Sequence, residues 1–93
     1  MLSKTPIDLK NVSMEDSDKE ILRLGMIAEL DAVSLYEQLA STTKNKNLKT
    51  MLLDIAREEK THMGEFQALL LKLDKEQVNE LEAGRKEVEE KTE

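Results

Sequence analysis

Eight positions spaced alternately by four and three residues, Leu48, Leu52, Ile55, Glu59, His62, Phe66, Leu69 and Leu73, fall on one stripe of a single helix. Six of them are apolar and call for burial. The other two are a carboxylate and an imidazole, groups that are costly to bury unless something pairs with them. A second stripe, Leu22, Met26, Glu29, Val33, Tyr36 and Ala40, again sets one carboxylate among core residues. Between the two lies STTKNKN, residues 41–47, a polar break too short to let the helices point anywhere but back along each other. At 1.5 Å per residue each helix would run about 39 Å. The expected fold is therefore all-α, an antiparallel two-helix hairpin.

Local signals set the expected boundaries. Ser17 and Glu20 form an S-x-x-E capping box that would open the first helix at Ser17, and Asn47 is placed to cap the second. Asp74 followed by Gln77 predicts a short third helix over residues 75–91, weakened by Gly84 and anchored mainly by Val78, Leu81 and Val88. These anchors are too sparse to complete a bundle, so an open apolar face is expected, available to another chain. Residues 1–16, which hold the single Pro, read as an N-terminal arm that is irregular until it packs on something, and residues 17–93 as one half-bundle domain.

At 93 residues the core is small, and a partner chain or a metal is the expected supplement. No Cys is present, so disulfides, zinc–thiolate sites and iron–sulfur clusters are excluded, and any transition metal must be held by carboxylates and the one His. With 20 acidic against 14 basic residues the net charge is −6, with no basic face, which argues against nucleic acid and anionic membranes as partners. No apolar run approaches the roughly 20 residues of a bilayer span. MLSKTPIDLKN lacks the apolar core of a signal peptide, so an intracellular protein is expected. Aromatic residues, 2% of the chain, offer no stacking platform for bases or flat cofactors.

Three ligand-type side chains within apolar stripes need a common explanation, and a metal supplies one. Glu59-Lys60-Thr61-His62 is an E-x-x-H motif whose i, i+3 spacing aims a carboxylate and an imidazole at one point. Glu29 sits at a matching depth on the antiparallel helix. A diiron carboxylate centre in a four-helix bundle takes one Glu from each of two helices and an E-x-x-H from each of the other two. This chain carries half of that set, so two copies about a twofold axis would supply four Glu and two His. Without a metal, His62 would be a core histidine bonded to Glu59, and Glu29 a buried acid paired with a basic side chain of a neighbouring chain. Tyr36, seven residues after Glu29 on the same face, either hydrogen-bonds a ligand carboxylate or packs in the core with its hydroxyl satisfied elsewhere. Glu58 and Glu65 share a stripe with Asp54, Thr61 and Lys72 and read as solvated. Met26, Met51 and Met63 read as packing, since thioethers suit hard iron poorly.

In the segments IAELDAVSLYEQLA (27–40) and LLDIAREEKTHMGEF (52–66) the sequence resembles the encapsulated ferritins, small ferritin-like proteins housed in encapsulin nanocompartments. The resemblance rests on E-x6-Y in the first helix and E-x-x-H in the second, each once, and the helix pattern extends over roughly residues 17–90. It implies a homodimer, within an annular decamer, whose ferroxidase centre forms between two chains from Glu29, Glu59 and His62 of each, with Tyr36 nearby. Two iron ions per dimer, oxidation of Fe(II) by oxygen and transfer of Fe(III) to the encapsulin shell's lumen are implied with it, as is a cytoplasmic location inside that shell. Zinc, calcium or manganese would be substitutes. Where family members carry extra carboxylates as a metal entry site, this chain has Ala28 and Asp31, so Asp31 alone could serve. It ends in EVEEKTE where free-standing members carry an apolar docking peptide, which leaves open a missing docking segment or a domain joined to the shell protein. Two competing functions are a rubrerythrin-like peroxide reductase, disfavoured by the lack of Cys, and a non-catalytic metal-binding helical assembly or cargo protein.

Overall fold

A computed structural model describes residues 14–93, which form three helices with no strand among them: α1 (Met14–Thr42), α2 (Lys46–Leu73) and α3 (Lys75–Lys91). The α1–α2 connection is only Thr43–Asn45, so the two long helices fold back on each other as the expected hairpin. The expected arm falls outside the described residues up to residue 13. Helix α1 starts at Met14, three residues before the expected Ser17. Ser17 is therefore a residue of the helix and not its first capping position. Helix α2 also starts earlier, and its N-cap is Asn45, not Asn47: the Asn45 side chain accepts from the Leu48 N–H at 3.0 Å, and the Lys49 N–H reaches the Asn45 carbonyl at 2.9 Å. Of two asparagines two residues apart, the first is capping and the second is helical.

The capping expected at Asp74 is present. One residue separates α2 from α3, and it serves both: the Asp74 N–H donates to the Leu70 carbonyl at 2.9 Å, while its carboxylate accepts from the Gln77 N–H at 3.0 Å. The carboxylate also accepts from Arg23 Nη2 at 3.0 Å, and Arg23 Nη1 donates to Glu20 at 2.9 Å. These contacts tie the α2–α3 junction to the first turns of α1. The Gln77 N–H, with Lys19 and Arg23 nearby, holds the Asp74 carboxyl below its ordinary value.

Packing between α1 and α2 centres on Leu22, Val33, Ala40, Ala56 and Leu70, the buried apolar residues. In α1 the expected stripe faces inward, with Leu22, Val33 and Ala40 buried and Met26, Glu29 and Tyr36 half-buried. In α2 the most buried positions, Ala56 and Leu70, are each one residue beyond Ile55 and Leu69 of the expected stripe. One residue is about 100° of helix rotation, so the stripe straddles the seam: Leu52, Ile55, Glu59 and Phe66 are half-buried, while Leu48, Leu69 and Leu73 remain exposed. Ala56, with a single methyl, lets α1 close down on this side of α2.

Helix α3 contributes no buried residue, and its expected anchors Val78, Leu81 and Val88 are all exposed. It carries exposed ion pairs along its own length, Arg85 reaching Glu82 and Glu89, and leaves the hairpin at Asp74. The described residues span 47 × 41 × 20 Å, a thin, open shape.

Candidate metal centre

The antiparallel register sets α1 positions 25 and 29 across from α2 positions 66 and 62. It thereby brings together the three residues singled out from the sequence. Glu29, Glu59 and His62 each offer a ligand atom, all within 4.8 Å of one another. His62 Nδ1 lies 3.4 Å from Glu59 Oε2 on its own helix and 3.6 Å from Glu29 Oε2 across the hairpin. The two carboxylates are mostly covered, with 18% and 20% of their side chains exposed, whereas His62 is 47% exposed and faces the open side.

Glu29 Oε2 is buried without any hydrogen-bond partner. A buried carboxylate oxygen left unsatisfied is unfavourable, and a hard cation is the kind of group that relieves it. The electrostatics carry the same message. The adjacent Glu59 carboxyl is the largest influence on Glu29, and together with burial it raises the Glu29 pKa above its ordinary 4.5. Burial pulls His62 down, but Glu59, Glu29 and Glu65 outweigh it, and the net direction is up from 6.5. Two carboxylates and an imidazole brought this close form a donor set suited to a divalent first-row metal.

Tyr36 is half-buried in the α1 stripe, but its hydroxyl does not reach Glu29 Oε2. Asp31 is half-buried and stands apart from the cluster. Glu58 is exposed, as expected, beside an Arg57–Asp54 ion pair. Glu65, also expected to be solvated, is exposed yet lines a concavity of about 370 Å³ with Glu29, His62, Phe66 and Leu69. Its i+3 relation to His62 was the available signal, masked by the solvated residues that share its stripe. A second, apolar concavity of about 300 Å³, lined by Ile21, Leu22, Leu69 and Leu73 among others, continues the open face toward the start of α1.

A family model described as Rubrerythrin matches residues 20–93. Fold and match together define a ferritin-like helical protein. A crystal structure of an encapsulated ferritin domain from Pyrococcus furiosus superposes with a TM-score of 0.84 at 52% identity, covering 99% of this chain and 96% of that one. The chain is also 62% identical over 73 residues to a ferritin-like–encapsulin shell fusion protein of Pyrococcus furiosus, and 39% identical over 56 residues to the encapsulin nanocompartment cargo protein EncC of Myxococcus xanthus. Those alignments take in 78% and 60% of this chain but only 21% and 43% of the two relatives, so the chain spans less than half of each. The chain belongs to the encapsulated ferritins, within the rubrerythrin-type ferritin-like proteins. Among the described residues no helix is long and apolar enough to cross a membrane.

Proposed function

We propose that two copies of this chain pair across the open apolar face to complete a four-helix bundle, and that Glu29, Glu59 and His62 of each copy hold a pair of iron ions at which Fe(II) is oxidised to Fe(III). The observation that carries this reading is the buried, unpartnered Glu29 Oε2 within reach of Glu59 and His62. One chain leaves His62 nearly half exposed and leaves Leu48, Met51, Leu69 and Leu73 uncovered, as expected of half a site.

In this reading iron is the substrate, and when bound it supplies the open coordination positions and the electrons that reduce dioxygen. The protein's part is to hold two carboxylates and an imidazole close together in a partly dry site. Glu29 and Glu59 bring the negative charge that a divalent ion neutralises. His62 must present a neutral ring nitrogen, so protons are displaced as metal enters. Tyr36 would support a ligand carboxylate, and Asp31 would meet incoming ions. The relatives named for a shell fusion and a nanocompartment cargo support a place inside an encapsulin shell; in the same proposal the chains form a decameric ring in the cytoplasm and pass Fe(III) to the shell's lumen for storage.

The test is anaerobic loading of the purified chain with Fe(II), metal analysis per dimer, then admission of oxygen with optical detection of ferric product. Ferric product from the unmodified chain but not from Glu59→Ala supports the reading. Metal that binds with no oxidation would leave a metal-binding assembly instead. The match to the Rubrerythrin model favours a second reading, peroxide as the oxidant. Consumption of added peroxide by the Fe(II)-loaded chain under nitrogen, faster than its oxidation by oxygen, would select it.

A further inference from the structure

Gly25 and Phe66 meet across the hairpin one helical turn from the metal cluster. Gly25 precedes Glu29 by four residues on α1, and Phe66 follows His62 by four on α2, so the two pairs are stacked on the same faces. A Cβ at position 25 would stand 3.1 Å from Cδ1, Cδ2 and Cε1 of the Phe66 ring, whereas a Cβ at Gly64 or Gly84 would meet nothing within 4 Å. Carbon atoms settle at about 3.5–4.0 Å, so the ring lies closer to α1 backbone than a side chain at position 25 would sit without the ring or the helices giving way. Glycine is a poor helix former, and it sits here in the interior of a 29-residue helix. Phe66 also forms part of the wall of the concavity that Glu29 and His62 line.

We propose that the Gly25–Phe66 contact is a positioning device for the metal site, setting the separation at which Glu29 on α1 meets Glu59 and His62 on α2. This rests on the metal-site reading above. A side chain at position 25 forces the ring or the helices apart by a few tenths of an ångström. Where the helices give way, a shift of that size one turn away changes the separation of Glu29 from Glu59 and His62 and loosens the grip of the three on a metal. Phe66 is positioned by Gly25 and in turn positions His62, four residues back on its own helix.

The experiment titrates Co(II), as an optical probe, into the full chain, Gly25→Ala and Gly25→Ala/Phe66→Leu, recording affinity, the visible ligand-field band and helical content. Gly25→Ala should retain its helices, shift the band and weaken Co(II) roughly ten-fold or more, the range seen when a group supporting a metal ligand is lost. Adding Phe66→Leu, which removes the ring that clashes, should recover most of that loss. A Gly25→Ala protein with the unmodified band and affinity would overturn the proposal, as would a loss that Phe66→Leu fails to repair. Should Gly25→Ala not fold, Phe66→Leu alone tests the same contact: weaker binding with a shifted band is expected, and unchanged binding overturns it. Failure of the unmodified chain to bind Co(II) would instead strike the metal-site reading itself.

Discussion

Glu29 Oε2 and His62 Nδ1 stand 3.6 Å apart on opposite arms of the hairpin, close enough to share an ion and too far apart for a good hydrogen bond. The carboxylate oxygen is buried and no hydrogen bond satisfies it. The pair is therefore unfinished in the isolated chain, and the proposed chemistry turns on what finishes it.

Ligand substitutions should separate the cluster from its surroundings. If two chains share the site as proposed, Glu59→Ala and His62→Ala each remove two of its ligands, and should weaken metal binding by more than the roughly 10–100-fold typical of losing a supporting group. Glu58→Ala, one residue away but exposed, should leave binding unchanged. Isothermal titration with Zn(II) reads all three. Loss of binding in Glu58→Ala with retention in Glu59→Ala would mean that the helix presents a different face to the metal.

Metal should drive assembly. Pairing two bare chains brings together four carboxylates in a partly dry site, which repulsion and desolvation oppose, and divalent ions turn that penalty into attraction. Binding energy then appears as association energy. Sedimentation velocity should show small species with chelator and larger ones with Zn(II), or Fe(II) under nitrogen, saturating at about one ion per chain. A distribution indifferent to metal would assign assembly to the apolar face alone.

The metal-free chain should become more stable as pH falls from about 8 to about 5.5. A carboxyl raised above 4.5, as at Glu29, destabilises the fold above its folded pKa, and that penalty fades as pH drops through it. A histidine raised above 6.5, as at His62, contributes stability that is complete below 6.5 and is lost as pH rises through the folded pKa. The two slopes agree in sign. Asp74, lowered from 3.8, works oppositely but only in more acid solution. Zn(II) should reverse the trend, because protons then compete for its ligands. Urea titrations across this range check the sign.

Gly84→Ala should stabilise α3. Position 84 is exposed and open, with nothing for a methyl group to strike, so the substitution gains roughly 0.5–1 kcal/mol of helix preference. Thermal melts followed by circular dichroism should move upward without any change in metal binding. The contrast with Gly25→Ala, a glycine of the same chain facing an aromatic ring, isolates packing from propensity.

Much of this was legible in the sequence. The hairpin, the Asp74 cap and the meeting of Glu29 with Glu59 and His62 follow from spacing alone, because helix periodicity fixes which side chains share a face. The starts of α1 and α2 did not: α1 begins at Met14 before Ser17, and Asn45 caps α2 with the same chemistry that Asn47 offers. Nor did the fate of Leu48, Leu69 and Leu73. A two-helix seam is narrower than the apolar stripe, and Ala56, a residue with little to say in a sequence, decides which edge of it closes. The Gly25–Phe66 approach was hidden for a like reason: a glycine in a helix reads as a weakness until its neighbour across the hairpin is known.

Asp74 ends one helix and begins the next with no residue to spare, so the bend between them hangs on a single pair of torsion angles. Helix α3, about 25 Å long at 1.5 Å per residue, is a boom on that pivot. A turn of about 10° there would swing its far end by about 4 Å, the width of a side chain, by the same helix geometry. Arg23, on α1, donates to the Asp74 carboxylate and so ties that pivot to the hairpin. Any neighbour that docks on α3 must accept the bearing of that pivot, and so is aimed by a residue far from the surface it touches.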